Sequence, residues 1–98
     1  MGENQYLRIS DHAIKRYRQR VHQGRSRLKK RDVEARIHQM MKKSYPVAEG
    51  RHGRVILEAR QSNRRFYIIH ANDTVITFIT EEMYNECVEA GEYKLLPS

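Results

Sequence analysis

Residues 55–80 read VILEARQSNRRFYIIHANDTVITFIT. The period here is two, and β-branched and aromatic side chains dominate, the types that pack well on a pleated surface. VILEA (55–59), FYIIH (66–70) and VITFIT (75–80) are predicted as three strands joined by the polar turns QSNR and AND. Strands so closely spaced imply an antiparallel meander. A three-residue second turn, 71–73, puts Phe66, Ile68, Ile76 and Phe78 on one face and Arg65, Tyr67 and Thr77 on the other. A two-residue turn scrambles that sorting, because a one-residue slip moves every side chain to the opposite face.

Upstream of this block the period is helical. Ser10 or Asp11 can cap a helix whose Ala13, Ile14, Tyr17 and Val21 share one side, at spacings of three and four. His12, Arg16 and Arg20 form a second stripe on the same helix, which should stop at Gly24. QGRSRLKK (23–30) reads as a short basic connection. A second helix is predicted over 31–44, with Val33, Ile37, Met40 and Met41 buried. Tyr45 ends it, since a residue before proline avoids helical geometry. Gly50 and Gly53 then mark a turn.

Downstream, Thr80 can cap a last helix that carries Glu81 and Glu82 in its first turn, in accord with the helix dipole, and stops at Gly91. YKLL (93–96) can add a fourth, edge strand. The expectation is one α+β domain over residues 1–98. It has two layers, with helices covering one sheet face: two N-terminal helices packed on a three- to four-stranded antiparallel sheet, and a short C-terminal helix.

Charge is unevenly placed along the 98 residues. Residues 8–43 hold 13 Lys/Arg against three acids, a local net of +10, whereas residues 81–98 hold five acids and one Lys, a local net of −4. A basic N-terminal half favours a polyanionic partner, of which nucleic acid is the commonest. Cys87 is the only cysteine, which excludes an internal disulfide and a cysteine-based metal cluster. No apolar run approaches the roughly 20 residues needed to span a bilayer, and no signal-peptide core is evident. These features point to a cytoplasmic protein with no membrane association.

The helical stripe carries the sharpest chemistry. Arg16 and Arg20, one turn apart, present planar donor forks that suit phosphate oxygens. His12 adds a side chain that exchanges protons near neutrality. RNA cleavage without metal needs a base at the ribose 2′-hydroxyl, cations at the phosphorane and an acid at the 5′-oxygen. His12, Arg16 and Tyr67 are the candidate catalytic residues, with Tyr67 as second acid/base or as a surface on which a base stacks. Arg20, Arg25, Arg27, Lys29, Lys30, Arg31 and Arg65 are the candidate phosphate-binding residues. No metal-ligand spacing is present, and no cofactor is expected.

HAIKRYRQR (12–20), a following helix and a meander ending VITFIT resemble small domains that open with His-Ala-x-x-Arg-x-x-x-Arg. These are related to the RelE-like, colicin and barnase-type ribonucleases. The motif is carried by His12, Ala13, Arg16 and Arg20. The resemblance implies a metal-independent endoribonuclease, toxin-like and neutralised by an antitoxin, with His12 and Arg16 in the chemistry and Arg20 on phosphate. RNA is then favoured over DNA. A second function class, a non-catalytic nucleic-acid-binding or regulatory module, needs the basic segment but not His12; a third, a small inhibitor acting through protein–protein binding, is neither supported nor excluded by the residues. A helix-turn-helix is disfavoured, because the connection 23–30 is long for that turn and leaves the sheet without a role.

Overall fold

The computed structural model describes residues 8–22, 28–61 and 63–97. In chain order the elements are β1 (Arg8–Ile9), α1 (Asp11–Arg20), α2 (Lys30–Lys42), β2 (Tyr45–Gly50), β3 (Arg54–Gln61), β4 (Arg64–Ala71), β5 (Thr74–Ile79), α3 (Glu81–Glu89) and β6 (Tyr93–Leu95). One six-stranded sheet has the order β1-β5-β4-β3-β2-β6. Its pairings are antiparallel except β1 with β5, which is parallel.

This corrects the expected architecture in two respects. The sheet is six-stranded and mixed rather than three- to four-stranded and antiparallel. The helices also cover both faces. α1 and α2 pack on one face, around Tyr17, Val33, Ile37, Phe66, Ile68, Val75 and Phe78. Met83, Tyr84 and Cys87 of α3 pack on the other, against Ile56, Tyr67, Ile69 and Ile79.

The two unforeseen strands have local causes. β1 is two residues long and is held by Arg8 N–H donating to the Asp73 carbonyl at 2.6 Å and Ser10 N–H to that of Val75 at 3.1 Å. A pair that short leaves no periodicity to read. β2 contains Pro46 and Gly50, both unfavourable in strands. Pro46 is tolerated because β6 pairs only with Ala48, Glu49 and Gly50, so at Pro46 the strand has β3 as its sole neighbour. Gly50 faces Tyr93, whose ring would lie 2.8 Å from any Cβ there. The bare backbone is the floor on which that tyrosine sits.

The β4–β5 turn differs from expectation but reaches a related result. Ala71 pairs with Thr74, leaving the two-residue turn Asn72–Asp73, with Asn72 at φ 55°. A bulge follows: Ile69 pairs with Thr77 and His70 with Val75, so Ile76 has no opposite number. Turn and bulge together shift the chain by the same parity as a three-residue turn. Phe66, Ile68 and Phe78 do share the α1/α2 face, where Val75 joins them, while Ile76 packs on the α3 side.

The helices start as their residues dictate. The Ser10 hydroxyl accepts from Ala13 N–H at 3.0 Å, and the Thr80 hydroxyl accepts from Met83 N–H at 3.2 Å. α2 begins at Lys29 with no side-chain cap and carries Lys30 and Arg31 at its positive end, which the helix dipole opposes, beside Asp32, which it favours. One compensation is the Lys30 to Asp11 ion pair at 3.2 Å, which brings the starts of α1 and α2 together. α1 ends with Val21 as its C-cap, ahead of the expected stop at Gly24, which lies outside the described residues.

Candidate active site

The α1 stripe divides in two. His12 is exposed; its Nε2 accepts from Arg16 Nε at 3.3 Å, and Arg16 Nη1 also donates to Gln19 Oε1 at 2.6 Å. Both side chains are thus engaged on the surface of their own helix. Arg20, further round by the drift of a four-residue repeat, turns towards the sheet and donates to the Phe78 carbonyl. Burial, and then the neighbouring Arg16, hold the Arg20 guanidinium below its ordinary pKa. Lys29, Lys30 and Arg31 are exposed around the start of α2. Arg25 and Arg27 lie outside the described residues.

Tyr67 is elsewhere. It belongs to the α3 face, whereas α1 rests on the opposite face, so the sheet stands between Tyr67 and His12. Its ring stacks on Tyr84 with centroids 4.1 Å apart and planes 4° from parallel, which leaves the residue 2% exposed. The structure therefore brings Tyr67 together with Arg65 but not with His12 or Arg16.

What surrounds Tyr67 follows from strand register. Tyr45 of β2 is opposite Glu58 of β3, and Glu58 is opposite Tyr67 of β4. Two residues along, on the same face, Arg60 is opposite Arg65. Five side chains from three strands thus form one patch: Tyr45, Glu58, Tyr67, Arg60 and Arg65. The Tyr45 hydroxyl donates to Glu58 Oε2 at 2.7 Å. Arg65 lies 3.6 Å from Glu81 Oε2 at the start of α3.

The electrostatics of the patch are mutual. Its hydrogen bond to Glu58 raises the Tyr45 pKa. Burial, and then the Glu58 charge, raise that of Tyr67, and the same two causes raise that of Tyr84. Arg65 is held more firmly protonated by the Tyr67 hydroxyl first, and then by the Glu58 and Glu81 carboxylates. Glu58 is the common element. Around it stand a phenol that can pass a proton and two guanidinium groups that can take phosphate oxygens.

Sequence reasoning misses Glu58 and Tyr45. Glu58 is the one acid in an apolar strand, and a turn centred between Gln61 and Arg64 places it opposite Tyr67. That signal is present in the residues. Tyr45 has none, since β2 itself is not foreseen.

Among the described residues, no group of three or more His, Cys, Asp or Glu side chains could hold a metal ion, and no helix is long and apolar enough to cross a membrane. No protein family, no curated protein and no solved structure matches the chain.

Proposed function

We propose that the protein is a metal-independent endoribonuclease whose reacting centre is Glu58 rather than His12. The observation that carries this is the 2.7 Å contact of the Tyr45 hydroxyl with Glu58, on a sheet face that also presents Arg60 and Arg65. An acid/base pair and phosphate-binding cations on one surface are the parts that transesterification of RNA requires.

The Glu58 carboxylate accepts the proton of a ribose 2′-hydroxyl, and the 2′-oxygen forms a bond to phosphorus. Arg60 and Arg65 stabilise the charge on the phosphorane oxygens. The phosphorus to 5′-oxygen bond then breaks, and the Tyr45 hydroxyl gives its proton to the departing 5′-oxygen. The Tyr45 phenolate recovers a proton from the Glu58 carboxylic acid. Both residues return to their starting states, the 2′-proton has moved to the 5′-oxygen, and the other product ends in a 2′,3′-cyclic phosphate. Tyr67 and Tyr84 form the wall behind Glu58. His12, Arg16, Lys29, Lys30 and Arg31 attract the polyanion without taking part in bond making.

The test uses the full chain with labelled single-stranded RNA in EDTA. Cleavage to cyclic-phosphate ends is expected, with a 2′-O-methyl RNA of the same sequence left intact. An intact 2′-hydroxyl RNA after prolonged incubation with folded protein would overturn the proposal. The non-catalytic alternative, nucleic-acid binding through the basic α1–α2 surface, then becomes the stronger reading, because Lys29, Lys30 and Arg31 stand exposed together at the start of α2.

A further inference from the structure

β4 begins at Arg64, but its first partner on β5 is Tyr67, opposite Ile79. β5 ends there, and the chain leaves through Thr80 into α3. At Arg64–Phe66 the sheet is therefore continued by β3 but not by β5. The notch left beside it is a cleft of about 550 Å³ lined by Arg20, Arg64, Arg65, Phe66, Glu81 and Glu82, among others.

Arg64 and Arg65 are successive strand residues and project to opposite faces, while Arg20 arrives from α1. Three guanidinium groups thus surround one strand end. None is fully neutralised. Arg20 has a backbone carbonyl as its partner and the cationic Arg16 as a neighbour. Arg64 lies 4.9 Å over the Phe66 ring, a contact that engages the face of the guanidinium and leaves its N–H edge available. Arg65 meets the half-exposed Glu81 at 3.6 Å, an ion pair that water screens. The α3 N-terminus is not the attraction here, since Thr80 already caps it and two carboxylates occupy its first turn.

We propose that this notch is a second phosphate subsite, in which Arg20, Arg64 and Arg65 hold a backbone phosphate of a single-stranded RNA adjacent to the one at Glu58. The inference rests on the Glu58 reading for its substrate. Arg65 belongs both to the Glu58 patch and to the notch, so a strand crossing the end of β4 meets the two in succession. A mononucleotide or a free phosphate engages only one. Glu81 competes with the incoming phosphate for Arg65 and is the group that must yield.

Binding of a labelled 2′-O-methyl oligonucleotide, which binds but lacks the attacking hydroxyl, tests the subsite independently of cleavage. Titrations run across a salt series on the full chain and on two surface variants, with circular dichroism as the folding control. Arg64→Gln should weaken binding about fivefold to tenfold and lower the slope of log K against log salt by about 0.7, the value for one lost phosphate contact on a single strand. Glu81→Gln should tighten binding about twofold to fivefold, the scale of an exposed ion pair. Wild-type affinity and slope in both variants would overturn the subsite. So would competition by inorganic phosphate as effective, phosphate for phosphate, as that of unlabelled oligonucleotide. The expected binding pattern with no cleavage of 2′-hydroxyl RNA would keep the subsite and remove the Glu58 mechanism.

Discussion

The two faces of the sheet differ in how completely they are closed. On the α1/α2 face, Tyr17, Phe78, Ile37, Val33 and Val75 are among the largest fully buried side chains, and Tyr17 meets Phe78 edge to face at 5.5 Å. On the other face α3 has no buried residue of its own; Met83, Tyr84 and Cys87 are half-covered, and the sheet beyond them carries Tyr45, Glu58, Arg60 and Arg65. Over its packed interior, a closed face serves to hold the fold together, and polar groups reach water only at its rim, as Arg20 and Arg64 do. A half-open one can keep charged groups near water and still fix them by strand register, which a solvated helix stripe cannot do.

The largest expected consequence of this difference is catalytic. Glu58→Gln keeps the shape of the patch and removes its base, so RNA cleavage should fall about a hundredfold to ten-thousandfold. His12→Ala should change the rate less than tenfold and act through affinity alone. Single-turnover rates on the same RNA measure both. The reverse ranking would return the chemistry to α1 and leave the α3 face as mere packing.

Next in size is stability. Phe78→Ala on the closed face should cost about 3–5 kcal/mol, the usual result of emptying a fully buried aromatic site. Tyr84→Ala on the half-open face should cost about 1–2 kcal/mol, since what is lost is mainly one stacked pair and partial burial. Urea unfolding of the two variants, with the m-value checked for constancy, gives the comparison. Equal losses would mean that α3 closes its face as firmly as α1 and α2 close theirs.

The smallest effect is in alkaline solution. The folded state raises the Tyr67 and Tyr84 pKa values through burial and then Glu58, so it favours the protonated hydroxyls. Their contribution to stability is present in full below the unfolded tyrosine pKa of about 10 and is lost as pH rises through the folded values. Stability should therefore decline above pH about 10, and Tyr67→Phe should make that decline shallower. Urea unfolding at stepped pH, with tyrosinate absorbance followed in parallel, would show it. A decline unchanged in Tyr67→Phe would place its cause outside Tyr67.

Much of the fold is legible in short-range sequence patterns. Caps at Ser10 and Thr80, the apolar stripe of α1, the meander of β3, β4 and β5, and the edge strand at Tyr93 are written in local spacing, because capping and amphipathicity act within a few residues. The patch is legible only in part. Arg65 and Tyr67 stand out by type, and Glu58 can be found by carrying the register across the β3–β4 turn.

By itself, then, the sequence determined the helices, three consecutive strands, the basic N-terminal half and the polarity of α3, all of them consequences of side-chain period and charge. Tertiary structure alone decided that Pro46 and Gly50 lie in a strand, because β6 pairs beyond Pro46 and Tyr93 covers Gly50. It alone set α3 on the face opposite α1, put the sheet between His12 and Tyr67, and through the β2–β3 register joined Tyr45 to Glu58. Which face a helix covers is a choice between two apolar surfaces of one sheet. Local spacing does not distinguish them; only packing of the whole chain does.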